Sequence, residues 1–180
     1  AATYGRGIWF SDPAPSNRTT RWYVNAAASG TNDGSSWSDA FNDLQDALDE
    51  ARQNNSTQEI WVAAGTYLPT ADGDPTVSFE LVDGVQLYGG FDGTEKRRIE
   101  RNTEINKVIL SGNLGDPAST LDNSYHVIRS TNIIDPITII DGFTISDGSA
   151  NALGDDALGG GILNKVTNLT VTSHFVVRNC

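Results

Sequence analysis

The chain has 180 residues, enough for one domain with a real core, and its formal net charge of −11 argues against contact with phosphate backbones, so nucleic acid is not an expected partner. No apolar run is long enough to span a bilayer. Charged residues make up only 19% while Gly, Asn, Asp, Ser and Thr are common, a mixture that argues against a helical bundle and suits short strands joined by tight turns.

Residues 1–21 read as an extended arm containing Pro13 and Pro15. Within it Ile8, Trp9 and Phe10 form one sticky segment; three adjacent large apolar side chains are costly to leave in water, so they are expected to dock on the same chain or on a partner. The start, Ala1-Ala2-Thr3, fits a mature terminus left by signal cleavage as well as an engineered boundary. Trp22-Tyr23-Val24 predicts a first strand, followed by a turn-rich stretch whose strongest signal is Asn32-Asp33-Gly34. Trp37, Ala40, Phe41, Leu44, Ala47, Leu48 and Ala51 then recur at spacings of 3 and 4, which predicts an amphipathic helix over 37–52. Ser36 or Ser38 is placed to cap it, Asp39 suits its first turn, and Asn54-Asn55 ends it.

Short strands are expected from there on: 60–62, 77–81, 85–88, 108–110, 126–128, 137–140, 143–145, 162–163, 169–171 and 175–177, mostly separated by Gly, Asn or Asp. No second helical stripe is present, which disfavours a βαβ architecture. Two internal echoes bear on the class. Leu87-Tyr88-Gly89 recurs 23 residues later as Leu110-Ser111-Gly112, and Ile137-Thr138-Ile139 with Phe143-Thr144-Ile145 recurs as Leu169-Thr170-Val171 with Phe175-Val176-Val177. Repeats near a 20-residue period predict an all-β protein, a right-handed parallel β-helix (solenoid), with the amphipathic helix as its N-terminal cap. The organisation expected is an arm at 1–21, a strand, turn region and capping helix at 22–58, and the first coils at 59–180. Cys180 is the one cysteine, so no disulfide forms within this sequence, and its place at the last residue fits a chain that continues.

The segment from Tyr23-Val24-Asn25 to Ser35-Ser36-Trp37 resembles the leading part of bacterial surface proteins of the pectate-lyase-like superfamily. So do Leu44-Gln45-Asp46-Ala47-Leu48, Ile60-Trp61-Val62-Ala63-Ala64-Gly65-Thr66-Tyr67, Leu87-Tyr88-Gly89-Gly90-Phe91 and Asp141-Gly142-Phe143-Thr144-Ile145, while Gly159-Gly160-Gly161-Ile162 is similar to repeats of polymorphic outer-membrane proteins and adhesin-like chains. The resemblance covers roughly residues 22–180 and implies a capped β-helix, secretion or display on a bacterial surface, and a longer chain with an anchoring module.

Candidate chemistry is sparse. Asp147, with Asp155 and Asp156, partly resembles the aspartate cluster of polysaccharide hydrolases, where one carboxyl acts as acid and another activates water. The pattern departs from theirs, because Asp147 and Asp155 are 8 residues apart and no Gly-His-Gly or Arg-x-Lys follows. Asp72 and Asp74, like Asp155 and Asp156, offer oxygen ligands to a structural Ca²⁺. Trp61, Tyr67, Tyr88 and Tyr125 are candidates for stacking on sugar rings, and Arg97 and Arg98, in the one basic cluster, for holding an anionic sugar. His126 and His174 are too far apart in sequence to suggest a zinc site or a triad, and Gly159-Gly160-Gly161 lacks the Lys-Ser or Lys-Thr of a phosphate loop. The expectation is a secreted or cell-surface protein with an adhesive, structural or glycan-binding role, and polysaccharide or surface glycan as partner. One alternative is a polysaccharide lyase or glycoside hydrolase with its active residues further along. Another is an assembly subunit that self-associates through residues 1–21.

Overall fold

The computed structural model describes residues 20–54, 56–167, 170 and 172–180. Ile8, Trp9 and Phe10, the expected strand at 169–171 and Asn55 therefore lie, wholly or in part, outside the described residues. Strand β1 (Thr20–Val24) is followed by helix α1 (Leu44–Gln53) and β2 (Thr57–Ala63). Then come β3 (Gly65–Tyr67), β4 (Phe79–Glu80), β5 (Gln86–Phe91), β6 (Val108–Ser111) and β7 (Ile128–Thr131). Strands β8 (Ile139–Asp141), β9 (Thr144–Ser146), β10 (Ile162–Lys165) and β11 (Val176–Arg178) complete the order. They form three sheets, β1-β2-β5-β8-β11, β10-β7-β4 and β3-β6-β9. Every strand pair is parallel.

This corrects the expected all-β, right-handed parallel β-helix with a terminal helical cap. The described residues form three small parallel sheets, and the first two strands of the largest are joined through α1. That β1-α1-β2 unit is the crossover the strand pattern disfavours, and it gives the arrangement an α/β character. The echoes that suggested equal coils are not the structural registers. Leu87 and Leu110 lie in different sheets. Val176 and Val177 face Ile139 and Ile140, not Thr144 and Ile145. Partners along the large sheet, Trp22, Ile60, Leu87, Ile140 and Val177, are separated by 38, 27, 53 and 37 residues, with no fixed period. The similar tripeptides reflect a shared need, an apolar residue beside a turn, and not a repeated unit.

The helix is shorter than its stripe. Its N-cap is Asp43, whose Oδ1 accepts the Gln45 amide at 2.8 Å, so neither Ser36 nor Ser38 caps it. Ser36 and Ser38 instead hydrogen-bond Asp39 in a tight turn, while Phe41 makes an isolated parallel bridge to Val24. Trp37, Ala40 and Phe41 thus keep an apolar spacing without being helical. Within α1, Leu44, Ala47, Leu48 and Ala51 are buried in the main core with Val24, Ile60, Val62, Leu87 and Ile140. The helix packs against β1, β2 and β4, and aliphatic partners in register across β2, β5 and β8 continue the core.

A second, smaller core occupies the opposite face of the large sheet. Side chains alternate along a strand, so Ile60 and Val62 point into the main core and Trp61 points away. Trp61, Tyr88 and Phe91 are nonetheless buried, because Trp37 and the segment after β5 fold over them. Trp61 stacks on Phe91 with ring centroids 4.4 Å apart, and the Trp37 indole N–H donates to the Glu95 carbonyl at 2.9 Å. Two-sided coverage explains the uninterrupted apolar run at 60–63.

Candidate binding cavity

The segment following β5 also builds one wall of a cavity. Arg101, only 15% exposed, donates through Nη1 to the carbonyls of Gly89 (3.0 Å) and Asp141 (3.1 Å), and its Nη2 pairs with Asp141 Oδ2 at 2.9 Å. The other oxygen of Asp141 accepts from Asn179 Nδ2 at 2.8 Å. This arginine fork ties β5, β8 and the residue beyond β11 together, and the partly buried carboxylate is matched on both oxygens. Thr103 follows and lies against two glycines with positive φ, Gly90 (+98°) and Gly142 (+88°); a Cβ at either would come within 3.0 Å of Thr103 atoms. Glycine is needed at both positions for backbone conformation and for close approach.

The result is a cavity of about 320 Å³. Thr103, Glu104, Lys107, Thr144 and Asn179 supply hydrogen-bonding groups to a mainly polar lining, with Cys180 also bordering it, while Val108 and Phe143 lie behind it as core residues no more than 2% exposed. Lys107 pairs with Glu104 at 3.3 Å, both solvent-facing, so either charge is free to reorganise around a ligand. None of these residues stood out in the sequence as a binder. The only hint was Asp141-Gly142-Phe143, whose glycine marks the close approach.

The sequence-derived candidates are placed elsewhere and do not converge. Trp61, Tyr67 and Tyr88 are 0%, 3% and 4% exposed, so none presents a face on which a sugar could stack. Trp61 is covered by the Arg21 guanidinium, 3.6 Å from the ring centroid, and its Nε1 donates to Glu59. Tyr88 lies beneath Arg98 and donates to Gln86 Oε1 at 2.6 Å; burial raises its phenol pKa. Tyr67 donates to the Ala63 carbonyl and its pKa is pushed up to about 12 by burial. It borders a second, mainly apolar cleft of about 210 Å³ beside Asp43. Tyr125 is half-buried, and its backbone N–H donates to the Pro75 carbonyl. Arg97 pairs with Glu100 at 2.7 Å and Arg98 with Glu59 at 3.1 Å, so both arginines are engaged within the chain.

Of the acidic candidates, Asp74, Asp147, Asp155 and Asp156 have partners at their carboxylates. Asp147, at φ +61°, accepts from the hydroxyls of Ser146 and Ser111, which hold its pKa low; it locks a turn. Asp155 pairs with Lys165, the chief reason its pKa is depressed, and Asp156 lies 3.4 Å from His126 Nε2. Each faces a basic side chain, and the structure identifies neither as a metal ligand. Asp74 accepts from the amide and hydroxyl of Thr76, and the Asp72 amide donates to Thr70. Among the described residues, no group of three or more His, Cys, Asp or Glu side chains converges, and no helix is long and apolar enough to cross a membrane.

Compared with known protein families, curated proteins and solved structures, the chain matches no family model, no curated protein and no solved structure.

Proposed function

We propose that this is a non-catalytic binding protein, displayed on a cell surface or secreted, whose ligand is a glycan unit seated in the cavity beside β8 and β9. The observation that carries the reading is the cavity's construction. Its exposed lining is mainly polar, with Thr103, Glu104, Lys107, Thr144 and Asn179 around it, and matches the hydroxyl groups at the edge of a sugar ring. Its volume of about 320 Å³ suits one or two rings, and the Arg101–Asp141–Asn179 clamp holds the walls in place before a ligand arrives. The surface setting draws on the resemblance of the leading segment and on the acidic, turn-rich composition.

The test is a glycan panel probed with the full chain, followed by titration of the best glycan by NMR or calorimetry. Thr144 is exposed on β9 and lines the cavity, so Thr144→Tyr should fill it without disturbing the core. Binding by the parent chain, lost in Thr144→Tyr at unchanged Tm, is the expected outcome. No bound glycan across the panel, or binding that survives the filled cavity, would refute the proposal.

A further inference from the structure

A different part of the molecule carries a second device, independent of the cavity. Six buried side-chain atoms lack a hydrogen-bond partner among the described residues, and one is Nε2 of His126. The imidazole is 1% exposed, just ahead of β7. Its Nδ1 lies 3.1 Å from the Gly159 carbonyl oxygen, and its Nε2 lies 3.4 Å from Asp156 Oδ1. A carbonyl oxygen only accepts, so Nδ1 carries a hydrogen in every protonation state. The neutral ring therefore leaves the bare lone pair of Nε2 close to a carboxylate, whereas the imidazolium brings a positive charge beside it.

Asp156 and Gly159 both belong to the loop between β9 and β10, which contains the 3₁₀ turn Gly154–Ala157 and carries the exposed Leu153 and Leu158. We infer that His126 is a protonation latch: charging its ring fastens residues 149–161 to β7, and discharging it loosens them. The other charged groups around the site are Asp155 of the same turn, Lys165 on β10 and Arg129 on β7, which acts on Asp155. The Lys165–Asp155 ion pair is a second hold on the loop, separate from the imidazole. The segment 75–78 on the other side brings no titratable group, and Asp147 is turned away to Ser111 and Ser146. Histidine is the side chain that ordinarily changes charge between pH 5 and 8, so a comparison across that range tests the latch.

Hydrogen exchange of the full chain at pH 5.5 and 8.0, corrected for intrinsic amide rates, tests this. Residues 149–161 should be about threefold better protected at pH 5.5, a size set by the partly exposed carboxylate. Asp156→Asn, a surface change that leaves the buried ring in place, should abolish the difference. His126→Gln should do the same if it folds. Loss of the acid-side protection in Asp156→Asn supports the latch. A difference that persists in Asp156→Asn, or none in the parent chain, overturns it.

Discussion

Gly142 offers the sharpest quantitative test of how the cavity wall is held. Its φ of +88° is on the left-handed side, where an L side chain costs about 1–2 kcal/mol. A Cβ there would also stand 2.6 Å from Thr103 Cγ2, 2.9 Å from Arg101 Nη1 and 2.9 Å from the Gly89 carbonyl oxygen. The threonine methyl has some room to move, but the carbonyl is fixed in the sheet, so overpacking adds about 1–3 kcal/mol. Gly142→Ala should therefore destabilise the protein by about 3 kcal/mol, lowering Tm by roughly 6–12 °C for a chain of this size. Thr103→Ser removes the methyl and should cost under about 1 kcal/mol alone. Combined with Gly142→Ala it should recover about 1 kcal/mol, because backbone strain and the Gly89 contact remain while the methyl clash disappears. Urea titrations followed by tryptophan fluorescence give all four corners of the cycle. Gly142→Ala within about 0.5 kcal/mol of the parent, or strictly additive effects, would refute the account of close approach.

Three further outcomes follow from the same structure. Leu48→Ala should cost about 2–5 kcal/mol in urea denaturation, since Leu48 is fully buried between α1 and the large sheet. Asp43 is half-buried and desolvation raises its pKa, so its native state holds a proton more tightly than the unfolded chain, and its contribution to stability is lost as pH rises through the carboxylate range. Asp43→Asn keeps the cap acceptor and removes that charge, so it should be at least as stable as the parent at pH 7, with any gain vanishing near pH 3 in parallel thermal melts. Glu100 is lowered to about 2 by the Arg97 side chain and the amides of Lys96 and Arg97, so its NMR titration should have a midpoint near there. A lowered folded pKa stabilises above the ordinary glutamate range and is lost as pH falls towards 2; Arg97→Gln should return the midpoint towards 4.5.

Local pattern located most elements. The apolar run at Ile60-Trp61-Val62 and the β-branched runs near 108, 128, 139 and 162 fall on strands, and the Leu44, Ala47, Leu48 and Ala51 stripe falls on the helix. These are contacts within one element, written in the order of the residues. Which strand lies beside which was not written there. Pairing between Val177 and Ile140 or between Leu87 and Ile60 depends on how intervening loops of unequal length close, so similar tripeptides misdirected the register and the fold class with it. The site suffered for the same reason. Trp61 and Tyr88 look like sugar platforms in one dimension, but Arg21, Trp37 and Arg98 come from distant positions to cover them. Thr103, Gly142 and Asn179 look like turn residues until Arg101 gathers their three segments around one cavity. By itself, then, the sequence determined most of the elements and the buried stripe of the helix, because those follow from neighbours three or four residues away at most. Tertiary structure alone decided register, coverage of the aromatic face and the cavity, because each depends on contacts between residues tens of positions apart.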